Sequence, residues 1–423
     1  MSRRAARGAI AVLPLLVLLS QVSAWSALEP QVAPPPTPVP PNGSPSPFLT
    51  HLSTPTDPIP VPGVGASAAI LVDLDTGQVL FRKAPEQARP VASLTKLMTA
   101  LVVLEKEGTH LDRTVVIDPD AVFHRGDYGG GSTLGLRPGE RVSVDGLLTG
   151  LLLGSANDAA EALAIEESGS VSGFVEVMNA RAKALGMART RFASPHGLDD
   201  RGHSSAADLL VLLRELSTYP AFRDLIGRRF GVVRSDSARP RRIQNRNVML
   251  WLYPGASGVK TGSTAAAGFC LMATAHRRGR ELAVVVLGGG DEVFSDAAAL
   301  LNHGFEAYER RTLVEEGEAL GSVRVRGGEV PVVAGDRLTA LVAVNAADAT
   351  ERILTVSPDA AYPPPSGSPV GTLRVRSAGA TVGRVRIFVA DLAPPPEPTG
   401  SWWGRATEAL AQAVTAVVAG LLG

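Results

Sequence analysis

Ala92-Ser93-Leu94-Thr95-Lys96-Leu97-Met98-Thr99-Ala100 is the stretch from which the rest of the chain can be read. Apolar residues at 94, 97, 98, 101 and 104 recur at the spacing of a helix face, and Pro90 ends the element before them. A helix is therefore expected to start near Ser93. On that helix Ser93 and Lys96 stand one turn apart on the same face. A serine hydroxyl is a poor nucleophile until a base takes its proton. A lysine can serve as that base if burial or a neighbouring cation lowers its pKa. The pair alone recurs by chance in many chains of this length.

Upstream, Ala68 to Asp73 reads as a short apolar strand, Asp75-Thr76-Gly77 as a turn, and Val79-Leu80-Phe81 as the returning strand of a hairpin. Downstream, one long helical pattern covers about Val144 to Glu167, and another covers Phe174 to Leu185. Inside the first lies Gly154-Ser155-Ala156-Asn157, polar groups where a core helix wants none. Taken alone, Ser155 or Asn157 reads as a helix N-cap. Lys260-Thr261-Gly262-Ser263 then stands just before a strand from Gly268 to Ala275, followed by a strand from Leu282 to Leu287 and a helix from about Ser295 to Tyr308. Beyond Arg311, short Val/Leu-rich runs alternate with Gly and Pro turns, the pattern of a small all-β domain over about 312–393.

Composition narrows the chemistry. The 423 residues suggest two or three domains at about 150 residues each. Lys+Arg and Asp+Glu are both 41, so global charge gives no reason to expect nucleic-acid binding. One cysteine, Cys270, excludes an internal disulfide framework and multi-cysteine zinc or iron–sulfur sites; it reads as a small buried residue in an apolar strand. The seven histidines include no H-E-x-x-H, which argues against a zincin. Only five residues are lysines, and two of them fall in the short motifs, where a titratable amine is needed and arginine could not act as base.

S-x-x-K, S-x-N and K-T-G in that order (Ser93/Lys96, Ser155/Asn157, Lys260-Thr261-Gly262) are a specific signal where each alone is weak. On these motifs, together with Phe192-Ala193-Ser194-Pro195-His196-Gly197-Leu198 and Gly258-Val259, the chain resembles the serine D-alanyl-D-alanine carboxypeptidases. These are low-molecular-mass members of the penicillin-binding and serine β-lactamase superfamily. The resemblance covers about Gly65 to Tyr308 and, more loosely, the β-rich tail. It implies an α/β, β-lactamase/transpeptidase-like domain over 64–311, an antiparallel sheet flanked by helices plus a helical subdomain, with the small C-terminal all-β domain behind it.

The resemblance also implies roles. Ser93 would be the acyl-ester nucleophile attacking the penultimate D-alanine carbonyl of a peptidoglycan stem peptide, Lys96 its general base, Ser155 the proton relay and Asn157 the orienting group. Lys260 and Thr261 would bind the terminal carboxylate, Gly262 would leave room for it, and backbone N–H groups of Ser93 and Ser263 would form the oxyanion hole. β-Lactams would acylate the same serine, and no metal or organic cofactor is required. Related enzymes often add an arginine near the strand after K-T-G, for which Arg280 is the best candidate. His196 and His203 are read as turn-forming or hydrogen-bonding residues rather than catalytic ones. Endopeptidase or transpeptidase action fits the same motifs. A class A β-lactamase would need a glutamate in an E-x-x-L-N context, which is missing between Asn157 and Lys260.

The ends of the chain speak to location. Arg3, Arg4 and Arg7, the apolar run Ala9 to Leu19 and Val22-Ser23-Ala24 match a signal peptide over 1–24, and its removal leaves a net charge of −3. Residues 25–63 form a proline-rich linker. After a second proline cluster, Trp402-Trp403 precede a stretch in which Leu410, Val414, Val417, Val418, Leu421 and Leu422 share one helical face. Residues 394–423 are thus expected to end in an amphipathic helix on the membrane surface, with an extracytoplasmic location at the cell wall.

Overall fold

The computed structural model describes residues 61–123, 131–236, 239–325, 328–346, 350–357, 365–377 and 379–390. The expected signal peptide, nearly all of the proline-rich linker and the expected C-terminal helix lie outside the described residues. Among the described residues no helix is long and apolar enough to cross a membrane. The chain divides into two compact units. One comprises Gly63–Val72 and Phe81–Leu301; the other takes Asp73–Leu80 and the chain from Asn302 onward.

β1 (Ala68–Asp73) and β2 (Val79–Lys83) form the expected hairpin. Two short antiparallel pairs follow: β3 (Thr114–Val116) with β4 (Arg141–Ser143), and β5 (Phe230–Val233) with β6 (Arg241–Gln244). The main sheet is completed by β7 (Ala256–Thr264), β8 (Gly268–Arg277) and β9 (Arg280–Gly289), in the order β2-β1-β9-β8-β7. β1 and the centres of β8 and β9 are buried residue after residue, without alternation. That is the signature of strands covered on both faces, and it explains their unbroken apolar text. β7 is an edge strand, and its position decides the site.

The Lys96–Glu107 helix lies at the centre of a helical layer, packed against the helices Val144–Leu152, Asn157–Ser168, Val171–Ala184 and Ala206–Leu216. Leu97, Met98, Ala100, Leu101, Val103 and Leu104 are all buried, so this helix has no solvent stripe over its first two turns. Its stability comes from packing on all sides rather than from an amphipathic face. Caps set several helix starts: Ser143, Ser170 and Ser205 each accept a backbone N–H three residues on.

The structure differs from the sequence reading at one decisive place. The pattern over Val144 to Glu167 is two helices, not one, broken at 153–156. Ser155 sits at φ 61° in the break, and the N-cap of the second helix is Ala156, without a side-chain cap bond. Ser155 and Asn157 are therefore not capping residues. A second difference concerns Lys260 to Ser263: they precede the strand from Gly268 as expected, but they are themselves part of a strand, β7.

The second unit is β-rich, as expected. β10 (Tyr308–Val314) pairs with β13 (Leu338–Ala343). A five-stranded sheet runs β11 (Ala319–Val325), β12 (Gly328–Ala334), β16 (Ala380–Val389), β15 (Pro369–Ser377), β14 (Thr350–Val356). Here burial does alternate: Val323 and Val325, Val330 and Val332, Leu373 and Val375, Val385, Ile387 and Val389 build one core, while Arg324, Glu329, Arg384 and Arg386 between them stay outside.

Candidate active site

Ser93 lies in a 3-10 turn, Ala92–Thr95, that feeds directly into the helix beginning at Lys96. Ala92, just before it, has φ 47°, a left-handed conformation that costs a non-glycine residue about 1–2 kcal/mol. With Ser155 this makes two strained non-glycine residues in the same region. Such strain persists where the surroundings over-determine it, as they do at functional sites.

Lys96 is fully buried, yet its amine is surrounded by oxygen. Nζ lies 2.9 Å from Ser93 Oγ, 2.7 Å from Asn157 Oδ1 and 2.8 Å from the carbonyl oxygen of His196. Asn157 opens the second helix of the broken pair, and its own N–H donates to Ser132 O at 2.7 Å. A Cβ on Gly131 would fall 2.3 Å from Asn157 Nδ2, so the 131–136 segment can pass over the amide only with glycine there. The neighbouring Asp158, buried, accepts the N–H groups of Leu134 and Leu136 and so ties that segment down. The break in the long helix thus serves the site: it turns Asn157 onto Lys96 instead of letting the helix run past it.

The edge strand β7 closes the other side. A Cβ on Gly262 would stand 2.9 Å from the backbone nitrogen of Ser93 and 3.2 Å from Ala92 Cβ. Any larger residue would force the strand away from the Ser93 turn. Lys260 points to the same face by the two-residue period and is buried, with Nζ donating to Thr261 O at 2.9 Å. Thr261 and Ser263 are half-buried. The strand's end is pinned where Thr264 Oγ1 donates to Asp200 Oδ1 at 3.1 Å. Among the described residues no hydrogen bond joins Ser155 to Lys96 or Lys260.

The electrostatics follow from packing three basic groups, Lys96, Lys260 and Arg246, close together. Burial pushes the Lys96 ammonium well below the usual lysine range; the positive charges of Lys260 and Arg246 push it further, and Asp158 opposes them. Burial, with Arg246, lowers Lys260 to about 7. Cys270 moves the other way: burial raises its thiol to about 11, which leaves it inert.

Two contributors escaped the sequence reading, and one candidate is corrected. The His196 carbonyl is an acceptor for Lys96, but a backbone oxygen carries no residue-type signal. Arg246, whose N–H donates to Leu153 O at 3.1 Å, places its charge on both lysines from a loop whose text marks nothing. Arg280 is not the carboxylate contact that the resemblance suggested. It pairs with Arg277 at the far turn of the β8–β9 hairpin, whereas Thr261 pairs with Leu271, about 20 Å away along the strand.

A serine and a buried lysine in hydrogen-bond contact beneath an edge strand, on this fold, define a penicillin-binding serine peptidase. The family model for D-alanyl-D-alanine carboxypeptidases (peptidase S11) matches residues 54–291, and the chain belongs to that family: it is a serine-type D-Ala-D-Ala carboxypeptidase. It is 34% identical over 270 residues to the D-alanyl-D-alanine carboxypeptidase DacF of Bacillus subtilis, covering 62% of this chain and 68% of that one. With the carboxypeptidase DacC of Escherichia coli it shares 31% over 347 residues, 79% of this chain and 85% of the other. Among solved structures it is similar to penicillin binding protein 6B of Escherichia coli, with TM-score 0.63 and 30% identity over 79% of this chain and 98% of that one.

Proposed function

We propose that Ser93 is the nucleophile that opens the terminal D-Ala-D-Ala bond of a peptidoglycan stem peptide, with Lys96 as its base. The observation that carries this reading is the three-oxygen setting of Lys96 Nζ. A neutral amine has two N–H groups and one lone pair. Asn157 Oδ1 and the His196 carbonyl can only accept, so they take the two N–H groups, and the lone pair is left facing the Ser93 hydroxyl. As Ser93 Oγ attacks the carbonyl carbon, its proton passes to Lys96. Ser155 gives its hydroxyl proton to the departing D-alanine nitrogen and is reprotonated by the proton that Lys96 took, which returns the amine to its neutral form. Water then cleaves the acyl-enzyme and frees the shortened stem.

Substrate would lie along the open edge of β7, pairing as an added strand. Backbone N–H groups of Ser93 and Ser263, brought together because Gly262 has no side chain, would stabilise the oxyanion by about 2.7–4 kcal/mol per donor. Lys260 and Thr261 receive the terminal carboxylate, and Asn157 orients both Lys96 and the substrate amide. A β-lactam places its own carboxylate and strained carbonyl in the same positions and acylates Ser93.

The test offers the enzyme a synthetic stem peptide ending in D-Ala-D-Ala beside a cross-linked dimer of that peptide. One D-alanine released per stem is expected. Cleavage of the dimer alone would make the chain an endopeptidase, an activity named for an Escherichia coli relative 33% identical over 267 residues.

The reading places the enzyme outside the cytoplasmic membrane, exported by residues 1–24, spaced by the proline-rich segment and held at the lipid surface by the C-terminal amphipathic segment. Deleting residues 400–423 is expected to move the protein from the membrane to the soluble fraction. Unchanged fractionation rejects the anchor.

A further inference from the structure

His196 gives Lys96 its carbonyl, and what holds His196 in place is a second residue of the Asn157 helix. The imidazole is buried, 2% exposed, and both of its nitrogens are engaged. The backbone N–H of Leu198 lies 3.1 Å from Nδ1, and an N–H can only donate, so Nδ1 is the acceptor and the ring proton sits on Nε2. That Nε2–H faces Glu161 Oε1 at 3.2 Å. Glu161 follows Asn157 by four residues on the helix Asn157–Ser168, so the two side chains share one face, one turn apart. From that face Asn157 grips Lys96 Nζ directly, and Glu161 grips the histidine whose carbonyl takes Nζ from another side.

The histidine is neutral in this setting, because burial lowers its pKa against the opposing pull of Glu161. The titratable groups around it are Glu161 from the Asn157 helix, Lys96 from the nucleophile helix and Asp199 from its own turn. Ser194 Oγ and the edge-on ring of Phe123 complete its surroundings. A ring fixed at both nitrogens fixes its Cα and with it the direction of the carbonyl. The turn cannot slide toward the nucleophile to compensate. Gly197 at φ 84° already lies so close that a Cβ would stand 2.0 Å from Ala92 O.

We infer that Glu161 is a positioning residue for the general base: through the His196 ring it aims the His196 carbonyl at Lys96 and so keeps the amine's lone pair on Ser93. The inference rests on the Ser93–Lys96 reading above. The property that matters is an accepting oxygen at this reach, so Glu161→Gln keeps the function and Glu161→Leu loses it.

The experiment measures the rate constant for acylation by a fluorescent penicillin across pH, per active site titrated from the burst amplitude, alongside Tm. Glu161→Leu is expected to slow acylation about 10- to 100-fold at the pH plateau, the scale of a reacting group misplaced by about 1 Å. Glu161→Gln is expected to stay within about 3-fold of wild type, a change below the tenfold that marks about 1.4 kcal/mol. Should the leucine variant not fold, Glu161→Asp, which keeps the charge and loses the reach, carries the same expectation of loss. A leucine or aspartate rate constant equal to wild type, a loss confined to burst amplitude and Tm, or a glutamine variant as slow as leucine overturns the inference. Absence of any Ser93 adduct in the wild-type enzyme would instead overturn the reading beneath it.

Discussion

Ser93→Ala is expected to leave no covalent adduct with a labelled penicillin and to lower D-alanine release by about 10⁶-fold, the scale on which loss of a serine nucleophile is felt. The size follows from how little can replace the hydroxyl. Ser93 Oγ is the hydroxyl within hydrogen-bond reach of Lys96 Nζ, on a turn that the strained Ala92 and the close approach of Gly262 hold in place. Ser155, the other serine assigned to the reaction, has no hydrogen bond to that amine. The alanine variant should still fold, because the substitution removes one oxygen and leaves the Ala92–Thr95 backbone and the Lys96–Glu107 helix intact. Intact-mass measurement after penicillin exposure, with D-alanine quantified in parallel, checks both halves. An adduct that survives the substitution would place the nucleophile elsewhere.

The second large effect is that of Lys96→Arg. Arginine keeps a positive charge and the ability to donate to Asn157 Oδ1 and His196 O, but it does not give up its proton, so it cannot take one from Ser93. The guanidinium must also fit where the lysine side chain is already fully buried. Acylation is expected to fall by about 10²–10⁴-fold, the range that general-base catalysis supplies. Stopped-flow acylation by a chromogenic β-lactam measures it. A near-wild-type rate would mean that some other group accepts the serine proton.

The parts of this site that were legible in the sequence are those where chemistry shows as residue type at a fixed spacing. Ser93 and Lys96 are one helical turn apart, and two of only five lysines stand in the motifs. The strands Ala68–Asp73, Gly268–Arg277 and Arg280–Gly289 were visible as well, because strands buried on both faces must be apolar without interruption. β7 was not visible: it is an edge strand carrying Gly258 and Gly262 and a buried Lys260, and no apolar alternation announces it. The helix break was hidden for a related reason. Leu147 to Leu153 and Ala159 to Ala164 are both mainly apolar and mostly buried, and a hydrophobic pattern cannot show that the backbone between them turns through φ 61° at Ser155. The His196 carbonyl and Arg246 reach Lys96 only through the fold, from 100 and 150 residues along the chain. In the β-rich unit the alternation of Leu373, Val375, Val385 and Ile387 was readable because one face of each strand is buried and the other is not.

The account turns on a lysine that is uncharged when the enzyme works, and titrating that lysine tests it most directly. With ¹³C-labelled lysine the protein gives signals from five side chains, of which the Lys96→Arg and Lys260→Arg variants assign two. Because burial and neighbouring cations lower the pKa of Lys96, the base form is lost as pH falls through that value, and acylation must fall with it. Lys260 should titrate at about 7 in the free enzyme, so affinity for the substrate carboxylate is expected to weaken as pH rises through that value. The account predicts a Lys96 signal that titrates well below the usual lysine range, in step with the acidic limb of the acylation profile. A Lys96 that stays protonated up to the ordinary lysine pKa while acylation runs at full rate near neutral pH would contradict it.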